Sequence, residues 1–253
     1  MKNPTVEPHQ NSVSAAVHSG PDPKNSPWHE WLEHPEKTKI HRPLFEFHLW
    51  VGMLAGAYVF VMSMSGSVLV FRNQLEANSE SRLVPTVEWI VRLHENLLGG
   101  MTGHVINGIG ALSFTLLCIT GLILWWPGIL HWKRSISIDW AGHSARVNWD
   151  LHNALGFWCF LFVLLWGVSA VYFIFPNPFN AALDYLQPPS AAPTLRSGDL
   201  VLLWLSNLHF GRFNLFTQVL WSVLGLVPAI LAFTGFFMCF HRIFVRRGGP
   251  LAR

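Results

Sequence analysis

The sequence predicts an all-α integral membrane protein, a four-helix bundle built from two pseudo-repeated helix pairs with both chain ends on the cytoplasmic side. Three observations predict it. The 253 residues are 51% hydrophobic and only 12% charged, whereas an ordinary soluble domain carries about 25% charged residues. Four apolar runs each exceed the roughly 20 residues that cross about 30 Å of hydrocarbon as a helix. Histidine and small-residue marks recur at matching offsets in the two halves of the chain.

Residues 1–40 read as a polar cytoplasmic arm rich in Pro, Ser and His. No apolar stretch of signal-peptide type follows the start. Ser26 and Pro27 before WHEWLEH form an N-cap and N1 pair for a short interfacial helix. The transmembrane domain is expected over 41–247, with spans at about 48–71, 105–126, 154–175 and 216–240, and a tail at 248–253. Val84 to Leu97 has apolar residues near helical spacing and is expected as a helix lying along the outer surface or leading into the second span. Residues 187–199 read as loop.

Lys and Arg set the orientation. Twelve of the 17 fall in segments 1–47, 127–151 and 241–253, and only Arg72, Arg82, Arg92, Arg196 and Arg212 fall in the others. That bias predicts N-in and C-in. Trp125, Trp126, Trp132, Trp140 and Trp149 fit the inner interface, where an indole buries its ring and keeps its N–H wet. The net charge is +3 and no long basic run occurs, so nucleic acid is not expected as a partner. Cys118, Cys159 and Cys239 lie in apolar runs without a CxxC or CxxCH pattern, which disfavours zinc and covalent haem attachment.

The internal repeat singles out four histidines. Gly52 follows His48 by four residues, and Gly156 follows His152 by four. Eighteen residues after His48 comes Gly66, preceded by Ser65. Eighteen after His152 comes Ala170, preceded by Ser169. His94 lies 27 residues before Gly121, and His209 lies 26 before Gly235. Parallel repeats in membrane proteins surround an axis along the bilayer normal. That symmetry sets His48 opposite His152 at the inner end and His94 opposite His209 at the outer end. Two facing imidazoles are what a six-coordinate haem iron requires, so two b-type haems are expected. Gly52, Gly66, Gly121, Gly156 and Gly235 would admit a planar macrocycle between helices, or serve as small-residue helix contacts.

His104, at the start of the second span, is an alternative outer ligand or a propionate partner. Arg42, Arg212 and Arg242 lie near the two levels, where a guanidinium would suit a propionate or snorkel to headgroups. His41, His131, His143 and His241 could meet propionates or lipid, and His9, His18, His29 and His34 are remote from the sites. About 27 Å of helix separates His48 from Gly66, so the two sites would sit in opposite leaflets and divide an electron's path across the bilayer. The Ser and Thr of the spans read as packing residues, and no nucleophile–base constellation is evident.

The blocks HLWVGMLAGAYVFVMSMSGSVLVF, LHENLLGGMTGHVINGIGALSFTLLCITGLILWWP, VNWDLHNALGFW and LHFGRFN with GLVPAILAFTGFFMC resemble the PepSY-associated transmembrane family, with its FoxB- and PiuB-like inner-membrane di-haem reductases. The resemblance covers about residues 40–250 and implies haem binding at His48, His94, His152 and His209. Larger members carry periplasmic PepSY domains between the first two spans, where this chain has only about 30 residues. A multi-pass protein of a bacterial inner membrane is therefore expected, acting in transmembrane electron transfer as a redox subunit of a larger complex or in periplasmic iron or siderophore reduction. Membrane lipid and redox proteins or quinone would be its partners. Two other readings stand beside it. One is a quinone-linked cytochrome b subunit of a periplasmic dehydrogenase or hydrogenase. The other is a haem-free structural subunit.

Overall fold

The computed structural model describes residues 32–77, 83–127, 132–188 and 196–242. The helix expected after Ser26, His131 and the C-terminal tail lie outside them. All regular structure among the described residues is helical.

A short 3-10 turn at Pro35–Lys37 leads into α1, His41–Leu69. The short α2, Arg72–Ala77, and α3, Val84–Asn96, follow before α4, Gly100–Trp125. The second half has α5, Trp132–Ser135, then α6, Ser144–Trp158, and α7, Phe160–Ile174. It continues with α8, Pro176–Leu186, and α9, Ser197–Phe210. It ends with α10, Leu215–Gly225, and α11, Val227–Phe240. Three segments are long and apolar enough to cross a membrane, namely α1, α4 and the α10–α11 run Leu215–Phe240. The α6–α7 pair becomes a fourth if taken as one span bent by 68°.

These spans depart from the sequence expectation in two ways. The third run is not one straight helix over 154–175. It starts ten residues earlier, at Ser144, and breaks at Cys159. The bend separates its partners, since α6 packs on α11 whereas α7 packs chiefly on α4. The fourth run breaks at Leu226, ahead of Pro228. Proline has no N–H to donate and its ring crowds the preceding turn. Here a side chain from another helix repairs the ladder. Ser63 Oγ of α1 accepts from the Ala229 amide at 3.0 Å and donates to Gly225 O, standing where a direct helical bond would have been.

α1 also packs on α4, so α1, α4, α6–α7 and α10–α11 form a closed ring of contacts. The half-repeats are visible in that ring: α1 corresponds to α6–α7 and α4 to α10–α11. α3 packs on α1 and α4, and α9 packs on α7. The segment read as loop over 187–199 is helical from Ser197. Arg196 organises that start, donating to Asp199 and, across the connection, to Asp184 and the Gln187 carbonyl. Many large apolar side chains around the spans are exposed, including Leu54, Leu161, Phe216 and Phe233. Lipid covers such side chains in a membrane.

Candidate functional site: two cavities lined by paired histidines

Two cavities lie along the interior of the ring. The first, of about 670 Å³, is at the end where α1 and α6 begin, and His48 and His152 both line it. The second, of about 420 Å³, is at the other end, and His94, His104 and His209 line it. Both volumes fall in the roughly 300–1,000 Å³ range of cofactor-sized pockets. Among the described residues no group of three or more His, Cys, Asp or Glu is placed to hold a bare metal ion.

The four paired histidines share one local arrangement. His48 Nδ1 on α1 lies 2.8 Å from Thr120 Oγ1 on α4. Its counterpart His152 on α6 lies 2.8 Å from Thr234 Oγ1 on α11. His94 Nδ1 on α3 lies 2.8 Å from Ser65 Oγ on α1, and His209 Nδ1 on α9 lies 2.6 Å from Ser169 Oγ on α7. Each hydroxyl also donates to the carbonyl four residues back on its own helix. These acceptors are Leu116, Ile230, Val61 and Leu165, at 2.6–2.8 Å. The Nε2 atoms have no hydrogen-bond partner among the described residues.

The small residue that follows each hydroxyl seats the ring. A Cβ added at Gly66 would stand 3.0 Å from His94 Cε1. At Gly121 it would stand 3.2 Å from His48 Cε1, and at Gly235 3.4 Å from His152 Cε1. Gly66 and Gly121 therefore make room for the imidazoles, and all three glycines also line the cavities. Gly52, Gly56 and Gly156 are placed differently. All three line the first cavity, and a Cβ at Gly56 or Gly156 would meet nothing within 4 Å. That leaves a flat apolar cradle beside His48 and His152.

The second histidine pair sits on helix ends that the spans hold in place. A helix leaves its last four carbonyls without intrahelical partners. Asn107 Nδ2 donates to the carbonyls of His94 and Glu95, each at 2.9 Å, and Tyr58 Oη donates to Asn107 Oδ1 at 2.8 Å. In the other half, indoles replace the amide. Trp166 Nε1 donates to His209 O at 3.2 Å and Trp221 Nε1 donates to Leu208 O. Burial pushes the His94 imidazole down to about 4. Burial and the nearness of His94 push His209 down to about 3. Both are neutral at physiological pH, the form in which imidazole is a ligand.

Among the arginines, Arg212 lines the second cavity and lies over the Phe210 ring. Arg42 does not line the first. It precedes His48 by six residues, about 240° around the helix, and is exposed. Arg242 lines that cavity instead, paired with Glu46 at 3.0 Å and stacked over Phe45. His143 meets neither cavity and caps α6, accepting from the Ala145 amide. His241 lines the first cavity. The sequence reading missed the four hydroxyls as histidine partners. Their signal was present, because each stands directly before the small residue at the repeated offset.

The helices and their apolar exterior define a multi-pass, all-helical membrane protein. Residues 76–199 match the model of the PepSY-associated TM region family, a stretch holding His94, His104 and His152. It is also similar to an uncharacterized protein of Pseudomonas aeruginosa, 29% identical over 89 residues. That match covers 34% of this chain and 21% of the relative. No solved structure matches the chain.

Proposed function

We propose that the protein carries electrons across a membrane through two b-type haems, with His48 and His152 as axial ligands of one and His94 and His209 of the other. The observation that carries this reading is the paired imidazoles at two cavities, each with Nδ1 engaged by a hydroxyl and Nε2 without a partner among the described residues. Two imidazole nitrogens suffice for a haem iron, whereas a bare ion would need more ligands. The residues present fit the group. The Gly56 and Gly156 positions open onto the first cavity, and its lining is predominantly apolar. Bound haem supplies a one-electron iron couple.

The chain's own residues divide the remaining work. The imidazoles are neutral donors, and the apolar walls limit water around them. Arg242 and Arg212 offer guanidinium groups to carboxylates at the first and second cavities. Because the cavities lie towards opposite ends of the spans, each leaflet has its own station. The excess of Lys and Arg supports a cytoplasmic position for the His48–His152 site. In a bacterial inner membrane the outer site would then exchange electrons with a periplasmic partner or quinone, within a redox complex or in iron reduction.

The test is a pyridine haemochrome assay on the purified protein. Two b haems per chain are expected. His48→Ala or His152→Ala should remove one, and His94→Ala or His209→Ala the other. A colourless wild-type protein, or a full haem content in all four variants, overturns the reading.

A further inference from the structure

We infer that Thr120, Thr234, Ser65 and Ser169 are positioning residues that fix the tautomer of the four paired histidines, presenting an Nε2 lone pair to each cavity. The inference rests on the haem reading for its purpose, but its geometry stands apart from any bound group.

A hydroxyl has one proton to donate and two lone pairs to accept with. In all four cases the proton has a short route to the carbonyl four residues back, at 2.8 Å for Thr120 and Thr234, 2.7 Å for Ser65 and 2.6 Å for Ser169. The oxygen is then left to accept, and the group facing it is the histidine Nδ1. Nδ1 must therefore carry the imidazole proton. The opposite assignment spends the hydroxyl proton on Nδ1 and moves the ring proton to Nε2. That proton would then point into a mainly apolar cavity with no acceptor among the described residues, and the hydroxyl would give up its bond to the carbonyl.

The arrangement recurs four times, twice in each half of the repeat. It uses threonine where the histidine sits on a span, and serine where it sits on the adjoining α3 or α9. The residue after each hydroxyl is Gly or Ala, which lets the ring approach closely enough for the bond to form. Packing alone would ask for a small residue, but it would not ask for a hydroxyl in register with Nδ1 each time. A hydrogen bond from the distal N–H of a ligating histidine orients the ring and raises its basicity as a donor.

The first measurement needs no haem. In protein produced without haem and labelled with ¹⁵N-histidine, NMR should show the four paired histidines as Nδ1–H tautomers with unprotonated Nε2. Thr120→Val should release His48 alone from that state, and Thr120→Ser should keep it. In haem-loaded protein, Thr120→Val should weaken haem retention at the first cavity by roughly 10–100-fold. The midpoint potential of the haem that remains there should rise, because a less basic imidazole stabilises the oxidised iron less. The second centre should not change, and Thr120→Ser should restore wild-type values. Thr234→Val repeats the test at His152 should Thr120→Val fail to fold. Nε2–H tautomers in the unmodified protein overturn the inference. So do a tautomer and potential unaffected by both valine variants. A wild-type protein that takes up no haem overturns the proposed function instead, while the tautomer measurement still decides this one.

Discussion

Asn107 is a buried amide in the middle of an apolar helix, a placement that costs free energy unless every polar atom finds a partner. It does so by taking two carbonyls from the end of α3 and one hydroxyl from Tyr58. The consequence is local to His94, which sits in the last turn of that helix. Asn107→Ala should leave two carbonyls short of partners, while Tyr58 Oη keeps the residue-107 carbonyl at 3.1 Å, and cost about 1–3 kcal/mol, read as a lower thermal midpoint in detergent. Under the haem reading, the same variant should loosen the centre at His94 and leave the His48 centre at full occupancy. Equal loss at both would make Asn107 a general packing residue. The histidines themselves were legible in the sequence because ionisable groups near apolar runs are uncommon and these four kept matching offsets. Asn107 carried no such mark, and the hydroxyls carried one only by standing directly before the small residues of the repeat. A lone Ser, Thr or Asn in a span reads as helix packing until the partner it faces is known.

Among the elements, the turn from α3 to α4 is the most strained backbone in the described chain. Leu97 and Leu98 both adopt left-handed angles, φ 52° and 60°, a region that costs an L-residue with a Cβ roughly 1–2 kcal/mol. Leu98 is also substantially exposed, so its side chain returns little. Leu98→Gly should therefore stabilise the protein by about 1 kcal/mol, seen as a higher thermal midpoint with unchanged helicity. A lower midpoint would mean that the Leu98 side chain is held by lipid or by a partner. Helix existence was plain from the length of the apolar runs, and α3 from its spacing. The breaks were harder to read. Pro228 is a signal for the one at Leu226 that the expected span of 216–240 did not use, whereas GFWCF holds only a single glycine, which a helix tolerates, so the bend at Cys159 was not visible. α8 and α9 were missed because the surrounding QPPSAAP stretch reads as loop, and the ion pairs of Arg196 that close it are made over distance. Arg42 and Arg242 could not be ranked from sequence, since only helix rotation decides which one reaches the cavity.

At the scale of the whole molecule, the two cavities are separate chambers, and the wall between them is thin. Val59, Phe114 and Pro228 line both. Phe114 supplies the only aromatic ring of the three, from the middle of α4, and packs against the buried cluster of Cys159, Val163 and Val227. Phe114→Ala should cost about 3–5 kcal/mol, as large-to-small changes in a packed interior do when the space cannot collapse, and should join the two chambers. If electrons pass between haems in those chambers, they cross this wall. Electronic coupling falls more steeply through a void than through packed atoms, so opening the wall should slow the passage. Phe114→Leu separates the two effects, because it keeps most of the volume and removes the ring. Both variants retain all four histidines and should keep two haems. Rapid reduction from one side, followed optically, should show slower equilibration between the centres in Phe114→Ala, with Phe114→Leu nearer the wild-type rate if packing matters and nearer the alanine rate if the ring does. Wild-type equilibration in both variants would mean that Phe114 is a structural partition alone, and that the separation of the two histidine pairs sets the rate.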